Sequence, residues 1–502
     1  MRHRLLQRTL TVKRFMKKSS FIFLVCLAAL SHFCFAQNLK WNPPVKIADR
    51  IHQTYLGYNG STHYSMGSNI KMTYDKSDSL YPAPNWKKLK LTLFRYDDKF
   101  VLKDTVPVRF FATPKRYFEA VKTDLGICLF YTKGVTSTLT FCADLFDWNG
   151  KFIETKTLAS AIDLASFKLM EYYQLNVSPS KKCFSIISTD SILCYNFSFE
   201  SLWKTAFKHE KCYSSLLTDQ AQFYAALAIN RQDKLIGVNE KGEATTQTIG
   251  SVLEQNDSYS LEFNHDKVFV FSLYGTKDKS YNPDYEKAGN YTRFRSNGLR
   301  FSVFSASLDS LKTQIIAYTN QTLLDAVPRV MLQNIKGIDW VSISQVDFGD
   351  DGDAILLLEK KYAEPTPSKP VQGSKVELEG RLNHGKELIV IKTSEEGKNN
   401  QVVIKREMLC EENFEYVMNV KAIPTAKGYF VYFHEGSNET NYMLKEVVLN
   451  NSLRTLFTAE VNLVDNKKPF LNLHKAGRID KNNYLVFGRI SKKIASAILD
   501  FK

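Results

Sequence analysis

Short apolar runs that alternate with polar residues return along the whole chain, and polar turns separate them. One pair of runs reads "LKLTLFRYDDKFVLKDTVPV" from Leu89. The same layout returns at six later points, which begin at Leu139, Ile192, Lys234, Arg300, Glu387 and Met443. Alternation with a period of two, bounded by Asp, Asn or Gly, predicts antiparallel strand pairs. Another pair of strand-like runs precedes most of these hairpins, so the repeating unit contains four strands.

The length of the chain also favours a repeat. Without its first 36 residues, the 502-residue chain is still longer than the roughly 250 to 300 residues at which a single core stops growing. Counting gives seven complete units and a last one that lacks its outermost strand, which the segment Pro44 to Ile51 can supply from the other end of the chain. We therefore expect eight units in residues 37–502, with seven units as the alternative.

Four-stranded units in series resemble a β-propeller, and the resemblance covers nearly all of residues 37–502. It implies an all-β, single-domain propeller of four-stranded blades. The chain has no Trp-Asp dipeptide ending its blades, no kelch double glycine and no Ser-x-Asp-x-Gly-x-Thr-Trp box of sialidases. The segment "DWNGKF" from Asp147 comes nearest to that box and has the wrong spacing. The resemblance therefore indicates a fold and no activity.

The first 36 residues predict a secretory signal peptide. Seven basic and no acidic side chains precede the apolar run "FIFLVCLAAL", which is shorter than the roughly 20 residues that span a bilayer. Small residues in "CFA" predict cleavage after Ala36. No later apolar run reaches membrane-spanning length, so we expect a bacterial protein that is exported to the periplasm or the exterior.

Removal of this segment changes the charge balance. The formal net charge of +15 falls to +8, because seven of the basic residues lie in the predicted signal peptide. The remaining excess is spread along the chain and forms no dense Lys/Arg block. A nucleic-acid-binding element needs such a block, so we expect no nucleic-acid partner.

Six cysteines remain after residue 36. If the hairpin turn is centred near Gly134 and Val135, Cys128 and Cys142 face each other across two strands. This arrangement allows a disulfide in an oxidising compartment. The alternative is that both are small buried apolar residues. Cys183 and Cys194 flank another hairpin about one pair out of register.

The stretch "VDFGDDGDAILLLE", Val346 to Glu359, contains four aspartates and suggests either a calcium loop or a tight turn. Counted from Asp347, the third position of a helix-loop-helix calcium site is Gly349 and the twelfth is Leu358, so two required oxygen ligands are absent. We therefore predict a turn. The histidines form no zinc motif, and no nucleophile elbow or phosphate-binding loop occurs. We expect no metal and no cofactor.

Three long insertions begin at Asp75, Thr276 and Tyr362, each between the second and third strands of a unit. In a propeller these loops emerge on the same face as the links between blades, and long loops in compact domains often bind partners. The candidate binding residues on these loops are Tyr81, Trp86, Tyr281, Tyr285, Tyr291, Arg293, Phe294, Arg295, Arg381 and His384. Their aromatic and basic side chains suit planar or anionic groups. The alternative is that these loops are merely solvated.

Three functions agree with the sequence. The favoured one is a monomeric, non-enzymatic exported protein that binds a protein or an envelope glycan through the loop-rich face. The second is a carbohydrate-active enzyme with acidic residues in the central funnel, which would require converging carboxylates. The third is a structural component of the envelope. Five tryptophans, Trp340 among them, could carry a sugar, although the packing role is more common for this residue type.

Overall fold

The computed structural model describes most of the chain as antiparallel strands. The described residues are 39–41, 45–46, 52–69, 72–73, 83–84, 86–135, 138–161, 173–251, 255–279, 292–327, 337–349, 351–365, 369–370, 377–378, 381–411, 420–425, 428–437, 442–461, 470–479, 483–490 and 493–500. Within them the fold is all-β apart from one short helix and one 3₁₀ turn. No helix in this part of the chain is long and apolar enough to cross a membrane. The predicted signal peptide lies outside the described residues.

Four-stranded antiparallel sheets follow one another along the chain, and the strands of each sheet pair in chain order. Sheet 1 contains His52–Asn59, Thr62–Asn69, Lys90–Tyr96 and Leu102–Val108. Sheet 2 contains Arg116–Lys122, Ile127–Val135, Thr138–Phe146 and Phe152–Ala161. Sheet 3 contains Gln174–Val177, Cys183–Ile187, Ser191–Asn196 and Ser201–Ala206. Sheet 4 contains Lys211–Leu217, Phe223–Ile229, Gln232–Val238 and Ala244–Ser251.

The second half of the chain continues the same pattern. Sheet 5 contains Gln255–Asn264, Lys267–Lys279, Thr292–Ser305 and Ser310–Ala317. Sheet 6 contains Val341–Phe348, Ala354–Pro365, Arg381–Thr393 and Asn399–Ile404. Sheet 7 contains Val420–Thr425, Gly428–Gly436, Tyr442–Leu449 and Thr455–Glu460. The bridging strand Met408–Glu411 pairs with the third strand of sheet 6 and meets the second strand of sheet 7 at Gly436.

Sheet 8 joins the two ends of the chain. Its C-terminal strands are Phe470–Arg478, Asn483–Ile490 and Lys493–Asp500. The N-terminal strands Leu39–Trp41 and Val45–Lys46 pair with the last of these. The N-terminal segment thus supplies the outer strand, as predicted, but it begins at Leu39 instead of Pro44.

Short elements decorate the connections between strands. They are the hairpins Met72–Thr73 with Ala83–Pro84 and Lys369–Pro370 with Glu377–Leu378, the strand Ile338–Asp339, the 3₁₀ turn Trp86–Lys88 and the helix Asn320–Ala326. The hydroxyl of Thr319 caps the helix by accepting a hydrogen bond from the backbone N–H of Thr322 at 3.0 Å. The sequence analysis did not predict this helix.

Sheets 1 to 7 share one turn between their third and fourth strands. The first turn residue donates its backbone N–H to the carbonyl four residues later, and its own carbonyl accepts the N–H of the fourth residue. The fourth residue has a positive φ in every case, at Phe100, Gly150, Phe199, Gly242, Leu308, Gly397 and Leu453. A left-handed backbone costs a non-glycine residue roughly 1–2 kcal/mol. Phe100, Leu308 and Leu453 are buried, and this burial offsets the cost.

Neighbouring sheets pack through apolar side chains on both faces. The second strand of sheet 4 illustrates why, because Phe223, Ala225 and Leu227 pack toward sheet 3 whereas Tyr224 and Ala226 pack toward sheet 5. Alternate side chains of a strand point to opposite faces, so a strand buried on both faces is a continuous apolar run. Every successive pair of sheets shares such a cluster. Sheet 8 shares another cluster with sheet 1.

Of the two interpretations of Cys128 and Cys142, the disulfide is contradicted and the pair of buried apolar residues is found. Cys128 pairs with Leu145, and Cys142 pairs with Tyr131, because the hairpin turns after Val135, which is paired with Thr138. Side chains three positions apart lie on opposite faces of a strand, so the two cysteines lie on opposite faces of sheet 2. Both are free and buried, and burial raises the pKa of the Cys128 thiol well above its ordinary value.

The other two expectations about local structure hold. Cys183 lies opposite Asn196 and Ser185 lies opposite Cys194, one pair out of register as predicted. The aspartate-rich stretch forms a turn in which the N–H of Gly349 donates to the carbonyl of Asp353 at 2.9 Å. Among the described residues, no group of three or more His, Cys, Asp or Glu side chains is placed to hold a metal ion.

Candidate functional site

Among the described residues, the paired ladders between the second and third strands are longest in sheets 5 and 6. Their ladders continue to the pairs Lys279 with Thr292 and Pro365 with Arg381. The predicted loops are therefore partly extended β-hairpins, and their tips lie outside the described residues. These two hairpins come from neighbouring sheets, so their bases are close together.

A short strand fills the space between the two hairpins. Ile338–Asp339 pairs with the third strand of sheet 5, where Asp339 lies opposite Arg295. The Arg295 Nε and Asp339 Oδ1 atoms are 3.3 Å apart. The next residue, Trp340, leads into the first strand of sheet 6. This places the base of the first hairpin next to the edge of sheet 6.

Three aromatic rings lie together at this position. Tyr362 and His384 are cross-strand partners in the second hairpin, and their rings stack at 4.6 Å with an interplanar angle of 7°. The Trp340 ring lies 6.4 Å from that of Tyr362. The Trp340 side chain remains 42% exposed, which is unusual for the largest apolar side chain. Trp340 is therefore open to solvent on this face, whereas His384 beside it is buried.

Oppositely charged pairs lie near the aromatic residues in the chain. Glu359 is buried and accepts hydrogen bonds from Arg406 at 2.6 Å and from Lys361 at 3.1 Å. Lys386 donates to Glu407 at 2.6 Å. The hydrogen bond and the charge of Lys386 hold the pKa of the Glu407 carboxyl below its ordinary value. We call this surface, made of Arg295, Asp339, Trp340, Lys361, Tyr362, His384, Lys386 and Glu407, the loop-face site.

The loop-face site contains some of the candidate residues from the sequence. Arg295 and His384 belong to it, and Phe294 packs beside it against the core between sheets 5 and 6. The backbones of Arg293 and Arg381 lie in the two hairpins, but their side chains are not described. Tyr81, Tyr281, Tyr285 and Tyr291 lie outside the described residues. Trp86 is half-buried in the 3₁₀ turn of sheet 1, away from sheets 5 and 6 in the chain.

Asp339 and Tyr362 were not predicted from the sequence, and packing was the favoured role for most of the tryptophans, although Trp86 was a candidate binding residue. Trp340 follows "KGID" and precedes the alternating run of sheet 6. A bulky residue directly before a strand lies in a connection between sheets, and this position is the signal that it could be exposed. Tyr362 was regarded only as the first residue of an insertion.

Carboxylates also converge on the first strands of the sheets. Burial, and secondly the nearby charge of Asp347, raise the pKa of the Glu262 carboxyl to about 8. Burial also raises the pKa of Asp347, and a hydrogen bond from Gln345 with the charges of Lys421 and Arg478 oppose this rise. These residues come from the first strands of sheets 5 to 8. Burial beside Asp347 therefore favours the protonated form of Glu262 near neutral pH.

Comparisons with known proteins give no assignment of function. The sequence matches no family model and no curated protein. Its structure is similar to that of Sqt1 from Saccharomyces cerevisiae, with a TM-score of 0.42, 9% identity and coverage of 91% of this chain and 99% of that one. It is also similar to a protein from Lactobacillus plantarum, with a TM-score of 0.39, 9% identity and coverage of 82% and 97%. A third similar structure is the Neurospora crassa Pan2 WD40 domain, with a TM-score of 0.30, 6% identity and coverage of 83% of this chain and 88% of that one. These TM-scores are too low to support an argument about this chain.

Proposed function

We propose that the chain is an exported β-propeller of eight blades that binds a ligand through the loop-face site. The cyclic order of the apolar clusters supports the ring, because sheet 8 contacts both sheet 7 and sheet 1. Pairing of Leu39–Trp41 with the last strand supports closure by the N-terminal segment. Such closure protects a sheet edge that would otherwise attract other chains. The signal peptide predicted from the sequence supports export.

The observation that carries the binding function is the exposed ring of Trp340 beside the stacked Tyr362 and His384, at the base of two extended hairpins. Binding residues are often found on loops that a rigid scaffold holds in place. Trp340, Tyr362 and His384 come from the linking segment and the second and third strands of sheet 6, and Arg295 comes from sheet 5. Their convergence needs both sheets, so it does not follow from the folding of one blade.

The test compares two faces of the molecule. One double variant, Arg295→Ala with His384→Ala, alters the loop-face site. The control, Glu240→Ala with Lys241→Ala, removes one acid and one base from an exposed turn between the third and fourth strands of sheet 4, on the opposite face. Co-sedimentation with a purified cell-envelope preparation measures binding. We expect loss only in the first variant; loss only in the control would contradict the proposal.

The Glu262 and Asp347 pair favours a second candidate function, which is hydrolysis of a glycosidic bond. Two carboxyl groups with different pKa values can act as acid and base. The test is the release of reducing sugar from a panel of polysaccharides by the purified protein and by its Glu262→Gln variant. Activity that the variant loses would favour the enzyme, whereas inactivity of both proteins would remove this candidate.

A further inference from the structure

We propose that the loop-face site binds a neutral saccharide and that one sugar ring stacks on Trp340. This inference rests on the proposed function, because it uses the same face, and it adds the class of ligand. Three properties of the site lead to it: the fixed backbone of Trp340, the pairing of its charged side chains and the mixture of donors and acceptors.

The backbone on both sides of Trp340 is fixed. Asp339 is held in the strand pair with Arg295, and the carbonyl of Trp340 accepts the N–H of Lys361 at 3.0 Å. Trp340 itself has a φ of +61°, a conformation that bulky side chains rarely adopt. The neighbouring hydrogen bonds impose this conformation, and it leaves 42% of the side chain exposed. The indole is thus presented to solvent from a rigid position.

A rigid, exposed indole beside a stacked Tyr362 and His384 suits a ligand with a flat apolar face. Binding to a preorganised ring avoids part of the entropy cost of ordering a side chain. Aromatic rings attract the weakly positive C–H groups that lie over their faces. A pyranose ring offers such C–H groups on one face and hydroxyl groups around its edge. The face of a pyranose ring therefore complements the indole, and its hydroxyl groups complement the polar side chains nearby.

The basic side chains of the loop-face site are all paired with carboxylates. Arg295 is matched by Asp339 at 3.3 Å, Lys361 by Glu359 at 3.1 Å, and Lys386 by Glu407 at 2.6 Å. An acidic peptide or an acidic glycan would require an excess of positive charge, as anion-binding sites do. The one excess positive charge in the described part of the site comes from Arg406, which is fully buried and shares Glu359 with Lys361. Each exposed cation already contacts a carboxylate, so a neutral ligand can bind without displacing any of these pairs.

The same ion pairs present both donors and acceptors at one surface. Carboxylates accept hydrogen bonds, whereas the lysine and arginine groups donate them. A sugar hydroxyl does both, so neighbouring hydroxyls can bridge a carboxylate and an ammonium group. A hydrophobic peptide would leave these charged groups poorly solvated, at a considerable cost. A neutral saccharide therefore fits this chemistry best among the partners predicted from the sequence.

The test is titration calorimetry of the full mature protein with defined oligosaccharides. The panel contains neutral hexasaccharides of glucose, mannose, xylose and N-acetylglucosamine, and acidic ones of galacturonate and hyaluronate. We expect at least one neutral saccharide to bind, with an affinity that changes little between low and high salt. Trp340→Ala should weaken binding about tenfold, which corresponds to one aromatic contact. Trp340→Phe should restore part of the affinity.

Trp148 provides the matched control. It packs against Tyr64 in sheet 1, with ring centroids 4.7 Å apart, so Trp148→Phe should leave binding unchanged. The inference is overturned if no neutral saccharide binds, or if Trp340→Ala binds as well as the parent protein. Binding of an acidic saccharide alone, lost in the Arg295→Ala and His384→Ala variant, would overturn the neutral ligand but retain the binding face. Envelope binding that is independent of both sets of substitutions would overturn the proposed function as well.

Discussion

The ion pair between Arg406 and Glu359 provides the sharpest test of the packing beneath the loop-face site. Their side chains are 0% and 2% exposed, and the Nη1 and Oε1 atoms are 2.6 Å apart. Arg406 also donates its Nε–H to the carbonyl of His434 in sheet 7 at 3.1 Å. The substitution Arg406→Met retains much of the volume and removes the charge. Glu359 then remains buried with Lys361 as its charged partner.

The expected cost follows from this geometry. Removal of one partner from a buried ion pair costs about 3–5 kcal/mol, because the remaining charge is poorly compensated. Lys361 still contacts Glu359 at 3.1 Å, so we expect the lower end, about 3 kcal/mol. With an unfolding entropy of about 2 cal/mol/K per residue, cooperative unfolding of the whole chain would lower Tm by roughly 3 °C.

The assay combines calorimetry with hydrogen exchange. Arg406 precedes the bridging strand Met408–Glu411, which connects sheets 6 and 7. Local opening should therefore appear as faster amide exchange in this strand, with little change in sheets 2 and 3. The control Lys156→Met removes half of an exposed ion pair with Glu154 and should cost well under about 1 kcal/mol.

A double variant decides whether the ion pair itself is responsible. Arg406→Met with Glu359→Leu removes both charges, and replacement of a buried pair by apolar residues is often neutral. We expect the double variant to be more stable than Arg406→Met alone. Its loss of stability should also be smaller than the sum of the losses in the two single variants. A change below about 0.5 kcal/mol in Arg406→Met, or simple additivity in the double variant, would refute the reasoning.

Three further predictions concern other parts of the fold. Because the pKa of Glu262 is raised to about 8, the folded state binds the extra proton between about pH 4.5 and 8, and stability falls as the pH rises through this window. At 1.36 kcal/mol per pKa unit, this pKa shift can lower the free energy of unfolding by at most about 5 kcal/mol. Water around this half-buried carboxyl reduces the effect, so we expect Glu262→Gln to gain about 2 kcal/mol over the parent protein at pH 8 relative to pH 5. Equal pH slopes of the two proteins in calorimetry would contradict this prediction. Leu308→Gly relieves the strain of a positive φ but removes a buried side chain. We expect the free energy of unfolding from chemical denaturation to fall by about 2 kcal/mol. A rise in this free energy would show that the backbone strain outweighs the lost packing. Deletion of residues 37–46 removes the strands that pair with Lys493–Asp500 and should lower Tm and promote aggregation in light scattering, whereas an unchanged Tm would identify the segment as a free arm.

Alternating patterns and the polar turns between them predicted most of the strands correctly, and alternation is clearest in outer strands such as Thr455–Glu460, where every second residue is exposed. The segment "FYAALAI" shows the limit of this reasoning. Its continuous apolar character resembles a helix, and only the packing of Phe223 toward sheet 3 and of Tyr224 toward sheet 5 explains it as a strand. The short helix Asn320–Ala326 was missed because its seven residues give too little periodicity.

Register was harder to predict than strand identity. The hairpin of sheet 2 was expected to turn near Gly134 and Val135, but the ladder continues to the pair of Val135 with Thr138. A small shift of the turn changes every cross-strand partner and exchanges the two faces of a strand. Cys128 and Cys142 were therefore placed opposite each other when they lie on different faces. No residue pattern near the turn distinguished the two registers.

The same dependence on register explains why the aromatic group of the loop-face site could not be predicted. From the pair of Leu358 with Ile389, an unbroken ladder would place His384 opposite Ala363. The bulge between Glu359 and Lys361 shifts the register by one, so that Tyr362 lies opposite His384 and their rings stack. Bulges often redirect side chains near functional sites. Trp340 joins this pair only because Ile338–Asp339 pairs with sheet 5. Topology thus predicted the face, whereas one bulge and one short strand determine which side chains meet there.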